Sequence, residues 1–174
     1  MELVGKKVLV FVEEDFEDLE MWYPVLRFRE AGATVHLAGT KAGFTYHGKY
    51  GVPIESSHAL DEVDAADYDG LYVVGGWAPD KLRRYASVIK LTKQFHEEVK
   101  PIGQICHAGW VLISAKIVYG YTMTSTPGIK DDLENAGAIW LDEEVVVDRN
   151  IVSGRRPPDL PAFMIEFIRL LGIK

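Results

Sequence analysis

Cysteine is nearly absent: the 174 residues hold one, Cys106. An intramolecular disulfide is therefore excluded, as is a zinc site built from several cysteines. No apolar run approaches the roughly 20 residues that cross a bilayer, so no membrane partner is expected. The segment Met1-Glu2-Leu3-Val4-Gly5-Lys6-Lys7 lacks the basic-then-apolar order of a secretion signal. The cytoplasm is the expected location. Positive charge is also short: 19 lysines and arginines face 26 aspartates and glutamates, a net charge of -7. With no basic stripe, nucleic acid is not an expected partner. The glycine fingerprints of nucleotide sites, Gly-x-Gly-x-x-Gly and Gly-x-x-x-x-Gly-Lys-Ser/Thr, are missing too. His36, His47, His58 and His96 are scattered without metal-ligand spacing. They are expected at the surface or in packing, and no metal site is expected.

What is present is globular: 48% hydrophobic and 26% charged residues, which argues against a disordered chain. No linker, repeat or low-complexity tract interrupts residues 1–174, so one domain is expected. Lys7 to Val12 reads as a buried strand, followed by the acids Glu13, Glu14, Asp15, Glu17, Asp18 and Glu20. Carboxylates suit a helix N-terminus. Helical spacing at Leu19, Trp22 and Leu26 predicts a helix ending at Gly32, with Pro24 kinking or restarting it. Strands are predicted at 34–38, 70–74 and 101–105, a hairpin within 41–56 and another at 144–153 around Arg149-Asn150. Helices are predicted at 87–99, 110–115, 128–135 and from Pro157 to about Leu171, with a short strand at 121–125. Strand then helix, repeated, predicts an α/β sandwich with a mainly parallel sheet covered on both faces.

Sites in such sheets form at the carboxyl ends of strands. Three features fall there: the acids after the first strand, Gly75-Gly76 and Cys106-His107. Cys106 sits between an apolar strand and a helix, the strand–nucleophile–helix logic of a nucleophile elbow. The helix N-terminus is expected to lower its pKa, although a packed structural thiol also suits the position. His107 is placed to take or stabilise the thiol proton. Asp80 is a candidate to orient that histidine, although its spacing favours a cap for the short turn Lys81-Leu82-Arg83. Glu17 is the acid expected to face inward, its pKa raised by crowding and burial, so that a neutral carboxyl donates to the thiolate. The other reading is that all of these acids form a solvated helix cap. Gly75-Gly76 offers backbone N–H groups to a developing oxyanion, or simply makes a tight turn.

Together these residues resemble the PfpI family. The resemblance rests on Ile105-Cys106-His107, Asp15-Phe16-Glu17-Asp18-Leu19-Glu20 and Gly75-Gly76-Trp77-Ala78-Pro79-Asp80. It also rests on Thr126-Pro127-Gly128-Ile129-Lys130-Asp131-Asp132-Leu133 with Glu144-Val145-Val146-Val147-Asp148. It implies a flavodoxin-like three-layer sandwich, a homo-oligomer, and no metal or organic cofactor. It implies Cys106 as nucleophile, His107 as its neighbour, and Glu17 as the acid on the sulfur. Gly76 with the His107 N–H becomes the oxyanion site, and Asp80 a carboxylate that reaches histidine from an adjacent subunit. Thr126 stands where some relatives carry a pocket-lining tyrosine, while Ala108 and Trp110 differ from the residues seen around the elbow; these differences bear on substrate choice. The activities implied are glyoxalase or deglycase chemistry on small reactive carbonyls and glycated groups. Hydrolysis of peptides by Cys106, His107 and Asp80, and non-enzymatic redox sensing or chaperoning, are the alternatives.

Overall fold

The computed structural model describes residues 2–173. Lys7–Phe11 (β1) is buried beyond its first residue, as an apolar β-branched run in a sheet centre should be. The chain then makes Asp18–Glu30 (α1), Thr34–Gly39 (β2), Thr45–His47 (β3), Pro53–Glu55 (β4) and His58–Ala59 (β5). Gly70–Val73 (β6), Ala78–Leu82 (α2), Ala86–Glu97 (α3), Ile102–Ile105 (β7) and Gly109–Ser114 (α4) come next. The remainder is Thr122–Met123 (β8), Lys130–Asn135 (α5), Ile139–Trp140 (β9), Val145–Asp148 (β10), Ile151–Gly154 (β11) and Leu160–Gly172 (α6).

A seven-stranded sheet runs in the order β10-β11-β7-β6-β1-β2-β5. Every pairing in it is parallel except β10 with β11. Helices α1 and α6 pack together on one face, while α2, α3, α4 and α5 form a connected layer on the other. The expected α/β sandwich, flavodoxin-like and mainly parallel, is the observed fold. The chain leaves β1 toward β2 on one side and returns to β6 on the other, so the sheet's switch point lies between β1 and β6, where open α/β sheets bind ligands.

Two local expectations change. Pro24 neither breaks nor restarts α1, which runs continuously from Asp18 to Glu30. In the stripe Leu19, Trp22, Leu26 only Trp22 packs partly against the core: Leu19 is 60% and Leu26 55% exposed. Met21, Pro24, Val25 and Phe28 are buried instead, a second stripe of equal helical period. Choosing between the two stripes rotates the helix, and that rotation decides which acid meets the site.

Candidate functional site

The loops after β1, β6 and β7 meet at one rim. Phe16 bridges both Gly48 and Gly76, and the Trp77 N–H donates to the Asp15 carbonyl at 2.8 Å. Asp15, Gly76 and Cys106 all take positive φ, at 64°, 76° and 61°. For Cys106 this is a strained conformation that only the surrounding structure can hold, and such residues cluster at functional sites. At Gly76 a Cβ would collide with the Glu17 backbone nitrogen, so both the angle and the space demand glycine. Gly75 is packed as tightly, with Glu20 and Cys106 where its side chain would start. The chain's one thiol thus sits at the end of β7 in a strand–turn–helix elbow.

The acid beside that thiol is Glu20, not Glu17. Glu17 is the N-cap of α1, and its Oε2 accepts from the Glu20 N–H at 2.8 Å. The Glu20 side chain is fully buried and points at Cys106 and Gly75. Neither of its oxygens has a conventional hydrogen-bond partner; the Cys106 thiol and the Gly75 backbone N–H are the polar groups it faces. Burial first, then the Glu17 charge, pushes the Glu20 carboxyl up to about 8. It therefore holds its proton at neutral pH, the state expected of Glu17.

The expectation of a lowered thiol pKa reverses. Cys106 is only 9% exposed, and burial, followed by the Glu20 charge, pushes it up to about 12. The N–H groups of Gly76 and His107 pull the other way without winning. Beyond the cysteine lie one tight turn, Cys106–Ala108, and the short α4, too little helix to dominate burial.

His107 places Nδ1 3.4 Å from Cys106 Sγ. Burial, then the Lys49 ammonium, lowers its pKa, so the ring is neutral and able to accept a proton. Trp77 and Trp110 flank the imidazole, each with ring centroids 5.0 Å away. Trp110 is itself held by Asp132, which accepts from its Nε1 at 2.8 Å. Asp80 lies within α2 and pairs with Arg84, so it neither caps the turn nor touches His107 within the protomer. Thr126 sits at the site's edge, its N–H donating to the Cys106 carbonyl at 3.3 Å. Cys106, His107, Gly75, Gly76 and Thr126 are therefore brought together, while Glu17 stands one helical turn behind and Asp80 apart.

Glu20 and Trp77 are the neighbours to which sequence reasoning gave no role at the site, while Trp110 was placed around the elbow without its contact to the imidazole. The signal for Glu20 was its spacing four and eight residues before the buried Pro24 and Phe28.

An α/β sandwich with a strained thiol at a strand end, an imidazole on one side and a buried acid on the other, defines an elbow-thiol class of protein. The chain belongs to the DJ-1/PfpI family, which it matches over residues 6–170. A deglycase of Thermococcus kodakarensis is 45% identical over 95% of this chain and 99% of its own. The protein/nucleic acid deglycase 2 of Escherichia coli is 40% identical over 97% of this chain and 99% of its own. Among solved structures, a two-domain Anabaena variabilis protein with DJ-1/ThiJ/PfpI-like and ferritin-like domains superposes with a TM-score of 0.95. It is 33% identical and covers 97% of this chain and 48% of that one.

Proposed function

We propose that the protein is a stress-protective enzyme that removes small reactive carbonyls, free or attached to amines, through Cys106. The observation that carries this reading is the neutral Glu20 carboxyl buried against an elbow thiol whose other neighbour is a neutral imidazole. Deglycase-named relatives over nearly the whole chain support it.

The chemistry needs no external oxidant or reductant. His107 Nδ1 accepts the S–H proton as Sγ bonds to the aldehyde carbon of methylglyoxal. The oxygen gains the negative charge beside the Gly76 and His107 N–H groups, then takes the proton back, giving a hemithioacetal. Neutral His107 removes the carbon-bound proton while the Glu20 carboxyl protonates the ketone oxygen; His107 then returns its proton to the neighbouring carbon as the first hydroxyl gives its proton back to Glu20. The result is a 2-hydroxyacyl thioester, oxidised at one carbon and reduced at the next. Water cleaves it to lactate and restores the thiol. On a glycated amine, sulfur takes the same carbon and the amine leaves.

The reading includes a homo-oligomer, supported by the exposed stripe Leu19, Tyr23 and Leu26 on α1. No described helix is long and apolar enough to cross a membrane.

The test is lactate formation from methylglyoxal without glutathione or added metal, comparing the wild type with Cys106→Ala. Turnover lost in a folded variant is expected. A folded wild type that alkylates at sulfur yet makes no lactate overturns the reading in favour of peptide hydrolysis or thiol oxidation.

A further inference from the structure

Residue Glu20 is held at both of its backbone groups by side chains outside the helical ladder. Its N–H donates to Glu17 Oε2 at 2.8 Å. Its carbonyl accepts from the Tyr72 hydroxyl at 2.6 Å. The second contact exists because of Pro24. In an α-helix the carbonyl of residue 20 pairs with the N–H of residue 24, and proline has none. The proline ring also crowds the carbonyl four residues back, turning it from the helix axis. A buried carbonyl left without a donor is costly. Tyr72, fully buried on β6 and packed against Phe28, Phe163 and Phe167, supplies that donor.

We infer that Tyr72 and Pro24 form a paired device: the proline vacates the helical donor so that a sheet residue grips the acid facing Cys106. A helix riding on its own ladder moves as a rod. Here the one turn bearing Glu20 is tied to β6, the strand that also delivers Gly75 and Gly76 to the thiol. Tyr72 is a positioning residue, since it touches the backbone of Glu20 and not the reacting atoms. The inference rests on Glu20 being the acid of the proposed reaction.

The experiment compares the wild type, Glu20→Gln, Tyr72→Phe and the double variant Tyr72→Phe/Pro24→Ala. Phenylalanine keeps the ring contacts and removes only the donor; alanine at 24 returns an N–H to the helix. Two readouts are taken: kcat and KM for methylglyoxal, and the pH midpoint of Cys106 alkylation by iodoacetamide. Tyr72→Phe is expected to lower kcat about tenfold or more, since small misplacements of reacting groups carry such costs, with KM within about twofold. Its alkylation midpoint is expected to move toward that of Glu20→Gln. The double variant is expected to recover both.

Wild-type kcat and midpoint in Tyr72→Phe overturn the inference, as does a double variant no better than the single. If Tyr72→Phe does not fold, the double variant decides alone: a wild-type midpoint supports the device, and a midpoint like that of Glu20→Gln overturns it. A Glu20→Gln midpoint equal to the wild type would instead remove the underlying role of Glu20. The alkylation arm needs no carbonyl turnover, so the two failures are separable.

Discussion

The two rims of the central sheet treat polar groups oppositely. At the amino-terminal rim most are paired, with His96 Nδ1 a buried exception. Tyr121 donates to Asn150 at 2.9 Å, and Asn150 in turn donates to the Lys100 carbonyl at 3.0 Å. Lys6 meets Asp69 at 3.3 Å, and Arg149 closes on Asp148 and the Gly120 carbonyl. At the carboxyl-terminal rim, buried oxygens of Glu20, Gln104 and Thr124 lack partners, and three residues carry positive φ around one thiol. Backbone strain occurs at both rims, since Val99 and Arg149 also take positive φ, but the unpaired buried oxygens are concentrated at the second. Unpaired buried groups in a native structure mark places where something other than folding was selected.

Four substitutions sharpen this contrast, the strongest effect first. Glu20→Gln should lower carbonyl turnover about a hundredfold, the loss of one positioned acid–base group. It should also change how stability depends on pH. The carboxyl is raised from 4.5 to about 8 on folding, so the folded state binds its proton more tightly. The stability this provides is complete below about 4.5 and drains away as pH rises toward 8. Urea unfolding of the wild type across that window should show a fall on the order of 3 to 5 kcal/mol. In Glu20→Gln this contribution should vanish, and a wild-type slope in the variant would break the assignment.

At the opposite rim, Asn150→Ala should cost about 1–3 kcal/mol through a stranded hydroxyl and carbonyl, with turnover per folded molecule unchanged. Loss of activity there would dissolve the division between rims. Glu17→Ala removes a helix cap and should cost about 1 kcal/mol in thermal or urea unfolding. Its turnover should fall less than that of Glu20→Gln. Asp80→Asn is the weakest change, breaking an exposed pair with Arg84 worth about 0–1 kcal/mol. Kinetics within about twofold of wild type are expected, since Asp80 does not touch the reacting atoms. A large loss would instead favour a triad completed across subunits.

The fold was legible because its signals are local. Apolar stretches bounded by turn residues gave β1, β2 and β6 nearly to their ends, the isoleucines after Pro101 gave β7, and Arg149-Asn150 marked the β10–β11 hairpin. The elbow was legible for the same reason: Ile105-Cys106-His107 is one turn, read in order. Glu20 was not, because its identity depends on helix rotation, and α1 offers two apolar stripes of the same period. Only packing against α6 and the sheet selects Met21, Val25 and Phe28. The direction of the thiol shift was hidden likewise. Sequence shows the nearby helix but not the depth of burial or the carboxyl brought in from α1.

The depth of Cys106 has a use beyond chemistry. The chain carries no other sulfhydryl, and this one is 9% exposed. A compact alkylating reagent can slip to the sulfur while the rim is shut; a bulky maleimide dye must wait for the walls to part. The quotient of the two labelling speeds is then a gauge of how often that end of the molecule breathes, read without adding any probe site. Followed against temperature or saturating ligand, it would time the opening through which any substrate must pass.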